Sequence, residues 1–217
     1  MATKRDIWKR WVKEYVDTSN PIPLFETDMS GVVQVKEHGR DDRPILKRST
    51  RMEDAIQQEG AKVIEDWNTT DDTYEGLLYL MYRHRDDEVV PLYVGKAGKY
   101  GRDGERLSAN IANLRGSSRG KFARWGDGYA YHIGELSAAV LDHERDPAQK
   151  YIDWADTLFE PKSRRLKEPI YFWTRAWRAD DVGVRRDFET SLEAMEYQII
   201  GLTSDLYPDD LLNTEGA

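Results

Sequence analysis

Apolar and polar residues follow two different periods along the chain. In the first part the apolar residues recur every three to four positions, beginning with Ile7, Trp8, Trp11, Val12 and Tyr15. This spacing predicts an amphipathic helix over residues 4–16, which the prolines in residues 20–23 end because proline removes a backbone hydrogen-bond donor. We expect a short strand at residues 32–35 and a second helix at residues 52–67, before a polar break at residues 68–72.

The second part of the chain begins with the pattern of strands. Residues 76–82 and residues 89–95 are apolar runs rich in aromatic and β-branched side chains, and a charged stretch connects them. This arrangement predicts an antiparallel hairpin. Two more segments with the composition of strands follow at residues 129–133 and 169–173.

Three helices are predicted in this second part, over residues 104–114, 148–158 and 186–202. A hairpin followed by helices and single strands predicts an α+β fold rather than a doubly wound parallel sheet. We expect a small antiparallel sheet of three to four strands that is flanked by helices. It would form a domain over residues 73–217, after a mostly helical, turn-rich N-terminal extension over residues 1–72.

Composition narrows the class of protein. The chain has 217 residues, no cysteine and a formal net charge of -8, and its mean hydropathy is -0.76. Without cysteine, a disulfide scaffold, a cysteine-ligated metal site and a thiol nucleophile are excluded. The sequence has no long apolar run and no apolar leader, so we expect a soluble, cytoplasmic protein without a membrane partner. The acidic balance argues mildly against a nucleic-acid partner.

Two short motifs, each with a tyrosine, lie on the predicted hairpin: Leu77-Leu78-Tyr79 and Tyr93-Val94-Gly95. They resemble the two strand motifs for which the GIY-YIG nuclease family is named, with Leu77 where the first motif of the family has glycine. The longer string over residues 92–98 is similar to a segment in the nuclease subunit of bacterial excision repair. The resemblance covers residues 74–216 and implies that both tyrosines belong to an active site.

Three further positions fit the order of active-site residues in that family. Arg106 stands on the predicted helix after the second motif, with Arg102 as a rival at shorter spacing. Glu196 stands at the edge of the apolar face of the last predicted helix, and Asn213 follows that helix. Asn110 stands where family members often have histidine or tyrosine, so this chain departs from the family at that position.

The resemblance implies roles for these residues in phosphodiester hydrolysis. Glu196 would anchor Mg²⁺ or Mn²⁺, since magnesium commonly takes one or two carboxylates and fills its shell with water and substrate oxygens. Arg106 would hydrogen-bond the phosphate through its planar guanidinium. Tyr79 would activate the nucleophile, which requires a neighbour or a pKa below the ordinary value of about 10. Tyr93 would share that task or orient the phosphate, and Asn213 would tie the C-terminal segment to nearby backbone.

Basic residues cluster beside the second motif. Residues 95–125 contain eight lysines and arginines against two acids, which is a local charge of +6 in a chain whose total is -8. Apart from Arg106, we expect these side chains to contact a nucleic-acid backbone: Lys96, Lys99, Arg102, Arg115, Arg119, Lys121 and Arg124. A mobile, solvated loop is the alternative, because glycine and serine interrupt the second half of the cluster.

These features favour a metal-dependent DNA endonuclease of the restriction, mobile-element or repair type. Residues 1–72 would then help to recognise DNA or to dimerise, and a homodimer would suit the cutting of both strands of a symmetric site. Two alternatives stay open. One is a catalytically weak or inactive module that binds nucleic acid, and the other is a protein-interaction module with an acidic surface and an aromatic N-terminal helix.

Overall fold

The structure is a computed structural model that describes residues 2–16, 18–116, 119–141, 143 and 145–213. Ser117 and Ser118 of the basic cluster, and residues 214–217 at the end of the predicted second domain, lie outside the described residues. The helices in the described part are α1 (Lys4–Tyr15), α2 (Thr50–Thr69), α3 (Ala109–Ala112), α4 (His132–Val140), α5 (Gln149–Leu158) and α6 (Leu192–Leu206). The strands are β1 (Ile22–Pro23), β2 (Val35–His38), β3 (Arg43–Leu46), β4 (Tyr74–Arg85), β5 (Glu88–Gly98) and β6 (Tyr171–Arg178). No helix in this part of the chain is long and apolar enough to cross a membrane.

The fold is α+β, as the sequence predicted. Four strands form one antiparallel sheet in the order β1-β6-β4-β5, and β2 and β3 form a separate hairpin. Strand β4 therefore lies inside the sheet and β5 lies at its edge. A two-residue turn joins these two strands, and its residues Asp86 and Asp87 have φ angles of 49° and 61°. Aspartate tolerates such angles, and tight hairpin turns use them.

Helices cover both faces of the sheet, because successive residues of a strand point to opposite faces. Leu77 and Tyr79 of β4 share one apolar core with Ile56 of α2. Leu78 and Leu80 point to the opposite face and share a second core with residues of α1 and α6. Strand β4 is consequently buried on both sides.

The tryptophans of α1 attach the N-terminal helix to the central hairpin. Trp8 and Trp11 stack with their ring centroids 5.3 Å apart, and the Trp8 indole N–H donates a hydrogen bond to the Val89 carbonyl at 2.9 Å. Strand β1 adds to the same sheet by pairing with β6. Residues from both sides of the predicted boundary at residue 72 thus share both cores, and the division into two domains stays a prediction.

Two predicted elements in the middle of the chain are wrong. The helix expected over residues 104–114 begins only at Ala109, because Gly104 has a φ of +71° and the Ser108 side chain caps the short helix. The segment 129–133 is not a strand, since α4 begins within it directly after an extended N-cap residue.

Two other predicted elements are displaced along the chain. The strand expected at residues 32–35 begins at Val35 and continues to His38. The last helix begins at Leu192 rather than at residue 186, because the Ser191 side chain accepts a hydrogen bond from the first turn and so caps the helix there.

Candidate active site

The two motif tyrosines lie on adjacent antiparallel strands and on the same face of the sheet. In the pairing of β4 with β5, Tyr79 is opposite Gly95 and Met81 is opposite Tyr93, and the tyrosine ring centroids are 6.3 Å apart. A Cβ atom at Gly95 would lie 2.5 Å from the Tyr79 ring. The glycine of the second motif therefore leaves the space in which the Tyr79 ring reaches across β5.

Tyr79 is a core residue. Its exposed fraction is 2%, and its hydroxyl donates a hydrogen bond to the Lys96 carbonyl at 3.3 Å. Burial raises the pKa of Tyr79 well above its ordinary value, so the hydroxyl keeps its proton at neutral pH. These surroundings suit a hydrogen-bond donor better than the nucleophile-activating role that the sequence suggested.

Tyr93 on the edge strand is half-buried and lies beside a lysine. The Lys150 ammonium donates to the Tyr93 hydroxyl at 3.4 Å and lies 4.5 Å from the ring centroid. Tyr93 is therefore the motif tyrosine whose hydroxyl lies within reach of a charged side chain. Lys150 stands on α5, which the sequence predicted as a helix without any functional residue.

Lys96 connects Tyr79 to the glutamate of the last helix. Its carbonyl accepts a hydrogen bond from the Tyr79 hydroxyl. Its ammonium binds the Glu196 carboxylate, with 2.7 Å between Nζ and Oε2. Burial alone would lower the pKa of Lys96, but the hydrogen bond and charge of Glu196 raise it overall. The Glu196 side chain is 16% exposed, whereas the neighbouring Glu193 is 69% exposed and lies 3.6 Å from the same ammonium. Lys96 thus belongs to the centre of this site as well as to the basic cluster.

Asn213 fixes the backbone of the second motif. Its Oδ1 accepts a hydrogen bond from the Val94 N–H at 2.9 Å, and its Nδ2 donates to the Val94 carbonyl at 2.8 Å. One residue earlier, the Leu212 N–H donates to the Leu92 carbonyl at 2.7 Å. The side chain amide thus satisfies backbone groups at the outer edge of β5, which agrees with the structural role expected for Asn213.

Arg106 is not on a helix, so that part of its prediction is wrong. It lies in the turn that follows β5, where its carbonyl accepts a hydrogen bond from the Gly101 N–H at 2.8 Å. Its side chain is 86% exposed and approaches only the Asp103 carboxylate, at 3.8 Å, among the described residues. Arg102 is exposed in the same turn.

Arg124 is the arginine whose charge acts on the residues around Tyr79. Burial is the largest influence on the pKa of Tyr79 and of His132, and the Arg124 charge lowers both pKa values. Arg124 ends a 3-10 turn, Phe122–Arg124, in which all three residues have positive φ angles. Left-handed backbone is strained in residues other than glycine, so nothing local in the sequence predicted this turn. The sequence placed Arg124 among the basic residues that would contact a nucleic-acid backbone, and gave it no catalytic role.

The turn is held from outside by a buried arginine. The Arg48 side chain has no exposed surface, and its guanidinium donates to the Trp125 carbonyl at 2.8 Å and binds the Asp127 carboxylate. The same guanidinium lies 4.8 Å from the centroid of the Phe122 ring. Arg48 directly precedes α2, so the N-terminal part of the chain positions the segment that carries Arg124.

A histidine packs behind the tyrosines. His132 lies 5.1 Å from Tyr93 between ring centroids and stacks on Trp154, and its Nδ1 is 2.9 Å from the Tyr151 hydroxyl. Burial lowers the pKa of His132 well below its ordinary value, so the imidazole is neutral. The contacts of His132 with these rings were not predicted, because residues 129–133 have the composition of a strand whereas His132 begins α4.

The structure divides the basic residues by exposure. Lys99 is buried, and its ammonium binds Asp66 at 2.7 Å and Asp72 at 3.0 Å, so it does not reach the surface that the sequence assigned to it. Lys121 is half-buried, and Arg119 forms an ion pair with Glu53. The side chains that lie on the surface are Arg102, Arg115 and Arg124.

One carboxylate at the site has the chemistry of a magnesium ligand. Glu196 is partly exposed at the edge of the sheet, and only its Oε2 forms a contact with Lys96 below 3 Å. Within the described residues, no three side chains of the types His, Asp and Glu converge on a metal position. A single carboxylate is still compatible with Mg²⁺, because this ion retains several waters and binds phosphate oxygens.

A scan of protein-family models, a search of curated proteins and a search of solved structures each found no match to this chain. The strand register places the half-buried Tyr93 on the same face of the sheet as Tyr79, and the side chain of Lys96, which pairs with Leu78, on the opposite face with α6. The two faces are joined at the β5 edge by the hydrogen bond from the Tyr79 hydroxyl to the Lys96 carbonyl.

Proposed function

We propose that this chain is a metal-dependent endonuclease that hydrolyses phosphodiester bonds in DNA at a site of the GIY-YIG kind. The observation that carries the proposal is the double contact of Lys96. Its carbonyl accepts a hydrogen bond from the Tyr79 hydroxyl, and its ammonium binds Glu196. Lys96 directly follows the second motif, so it links the tyrosine of the first motif to the carboxylate of the last helix. Asn213 supports the proposal because it fixes the same motif through Val94.

The surroundings of each residue suggest its role in hydrolysis. Tyr93 would act in its ionised form, in which a phenolate beside the Lys150 ammonium would take the proton of the attacking water. Tyr79, which stays protonated, would hold the backbone of β5 through its hydrogen bond to Lys96. Glu196 would hold Mg²⁺ or Mn²⁺, which when bound supplies a Lewis acid for the phosphate oxygens. Lys96 would turn its ammonium from the carboxylate towards the phosphate.

The phosphate also needs a guanidinium, and electrostatics favour Arg124 over Arg106 for that role. The charge of Arg124 acts on Tyr79 and His132, while Arg106 extends from an exposed turn. A planar guanidinium can form two parallel hydrogen bonds to phosphate oxygens. Restriction, mobile-element and repair roles are all compatible with this site.

A second candidate is a module that binds nucleic acid without cutting it. Two observations favour it: the hydroxyl of Tyr79 is buried, and the Glu196 carboxylate already has an ammonium partner at 2.7 Å. In an inactive module these contacts would be permanent. The exposed arginines would then contact DNA without any reaction.

Nicking of supercoiled plasmid DNA separates the two candidates. The wild-type protein is incubated with plasmid in Mg²⁺, in Mn²⁺ and in a chelator, and binding to a labelled duplex is measured in the same chelator buffer. Nicking that requires a divalent ion supports the nuclease. Binding without nicking in either metal supports the second candidate, and the absence of both overturns the two proposals together.

A further inference from the structure

A charged cleft lies away from the tyrosines, between the β2–β3 hairpin and the end of the basic cluster. Its volume is about 710 Å³. The charged side chains that matter for its chemistry are Lys36, His38, Glu53, Arg115, Arg119 and Asp127. We name it the hairpin cleft. Half of these residues belong to the N-terminal extension, for which the sequence suggested only recognition or dimerisation.

The floor of the hairpin cleft is a buried network of ion pairs. Arg48 binds both Asp127 and Glu53, and the distance from its Nη2 to Glu53 Oε1 is 2.9 Å. Lys36 lies above, with its ammonium 2.9 Å from Asp127 and 3.9 Å from Glu53. Arg119 also binds Glu53. The carboxylates of Asp127 and Glu53 thus pair with three cationic side chains, and each carboxylate contacts more than one of them.

The rim of the cleft adds more positive charge. Arg115 is exposed and forms no ion pair with any other residue that the structure describes. The cleft and its floor hold four cations, Lys36, Arg48, Arg115 and Arg119, against three acids, Glu37, Glu53 and Asp127. This excess of cations occurs in a chain whose total charge is -8.

The cations of the cleft destabilise each other. Burial and the charge of Arg48 lower the pKa of Lys36, although Asp127 opposes this. Burial and the same Arg48 charge lower the pKa of Arg119. Burial also lowers the pKa of His38. The charge of Asp127 opposes this shift, and the charges of Arg43 and Lys36 add to it. A bound anion would relieve this repulsion, because an opposite charge within a few ångströms favours each charged form.

We propose that the hairpin cleft binds a phosphate group, held by Lys36, Arg115 and Arg119. Phosphate suits the cleft because its several oxygens accept hydrogen bonds from ammonium and guanidinium groups at once. Two ligands could supply this phosphate group: the backbone of DNA and free phosphate. The DNA source rests on the proposed nuclease function.

Chain length links the hairpin cleft to the proposed active site. Arg119 lines the cleft, and Arg124 lies near Tyr79, five residues later in the sequence. Five residues span at most about 18 Å, and one DNA strand rises about 3.4 Å for each nucleotide. The Cα atoms of the two arginines therefore lie within about 18 Å of each other, so one DNA strand could contact both. The cleft would fix the register of DNA on the enzyme.

The test measures DNA affinity without cleavage. Binding of the full chain to a labelled 20-base-pair duplex is measured in chelator at several salt concentrations. The variants are Arg115→Gln, Lys36→Gln and the two combined. The matched control combines Lys9→Gln with Lys13→Gln on α1, which likewise removes one cation with an ion pair and one without an ion pair to any residue that the structure describes. We expect the cleft double variant to lose at least about tenfold in affinity at 0.1 M salt and its salt slope to fall by up to about two, as expected for two lost phosphate contacts.

Free phosphate is tested by titrating inorganic phosphate and measuring the thermal midpoint of the wild type and the cleft double variant. A rise only in the wild type, with unchanged DNA affinity of the variants, supports free phosphate as the ligand. If cleft and control variants behave alike in both assays, the proposal is overturned. Arg115→Gln removes an exposed side chain without an ion pair, so it keeps the test valid if Lys36→Gln fails to fold.

Plasmid nicking by the same proteins in Mg²⁺ distinguishes the two proposals. If the wild type does not nick DNA but the cleft variants lose affinity, the nuclease proposal fails and the cleft proposal stands. If the wild type nicks DNA and the cleft variants match the control in both binding assays, the cleft proposal fails alone.

Discussion

Two ion-pair clusters connect to the surroundings of Tyr79, one through Lys96 and one through Trp125, and they differ in their access to solvent. At the edge of β5, the Lys96 side chain is 27% exposed and binds the partly exposed Glu196. Beneath the segment that carries Arg124, the Arg48 side chain is 0% exposed and binds Asp127. An ion pair that solvent can reach can exchange its partners for a phosphate and a metal ion. A buried pair cannot, because each unpaired charge would lose its compensation.

The difference in exposure predicts which ion pair serves the reaction and which one stabilises the fold. The Lys96–Glu196 pair is accessible to solvent, so under the proposed function its removal should affect activity more than stability. The Arg48–Asp127 pair holds a left-handed turn in place, so its removal should affect stability first. The proximity of the two clusters to the same tyrosine does not give them the same role.

The largest effect on stability is expected for Arg48→Met. This change leaves Asp127 buried without its main partner, and breaking a buried pair in this way costs about 3–5 kcal/mol. Urea unfolding followed by circular dichroism measures the free energy of unfolding. Lys96→Met is the matched control, and we expect it to cost less than about 1 kcal/mol because the pair is partly exposed. Equal losses for the two variants would contradict the distinction between the clusters.

The next effect concerns the arginine that meets the phosphate. Arg124→Gln should lower the rate of plasmid nicking about 100-fold, as expected for the loss of one donor that stabilises the reacting phosphate. Arg106→Gln removes an equal charge from an exposed turn and should change the rate by less than about threefold. A larger loss for Arg106→Gln would restore the role that the sequence suggested for that residue.

A smaller effect on stability is expected for Gly95→Ala. The added methyl group would lie 2.5 Å from the Tyr79 ring, and such overpacking costs about 1–3 kcal/mol. Gly98→Ala on the same strand is the control, because the nearest atom to its new Cβ is 3.8 Å away. Urea unfolding of both variants should show a loss for Gly95→Ala alone. Similar stabilities would show that Tyr79 does not need the space at Gly95.

The edge of β5 could be predicted from sequence because its signals are local. Runs of apolar residues on both sides of a charged turn define the hairpin. The choice of Tyr79, Tyr93, Glu196 and Asn213 comes from the resemblance to the GIY-YIG family, with a helical pattern in support of Glu196. The structure brings Tyr79 and Asn213 onto the same strand backbone through Lys96 and Val94. Contacts of this kind join residues that are adjacent to a recognised motif.

The segment after β5 could not be predicted because contacts from distant parts of the chain determine it. Phe122 and Arg124 adopt positive φ angles without glycine, and Arg48 holds them from more than 70 positions earlier in the sequence. Lys150 reaches Tyr93 from a helix 57 residues later. No local period or motif carries such information. Arg106 is expected on a helix because apolar residues recur at helical spacing after it, but the Ser108 cap starts that helix too late to include it.

The central claim is that Glu196 at the edge of β5 is needed for metal-dependent cleavage of DNA, and a pair of neighbouring glutamates tests it most directly. Glu196→Gln and Glu193→Gln each remove one carboxylate from α6 within reach of Lys96. The rate of plasmid nicking in Mg²⁺ is measured for both variants and the wild type. We predict a loss of at least about 100-fold for Glu196→Gln and a change of less than about twofold for the exposed Glu193→Gln. Undiminished nicking by Glu196→Gln would contradict the account.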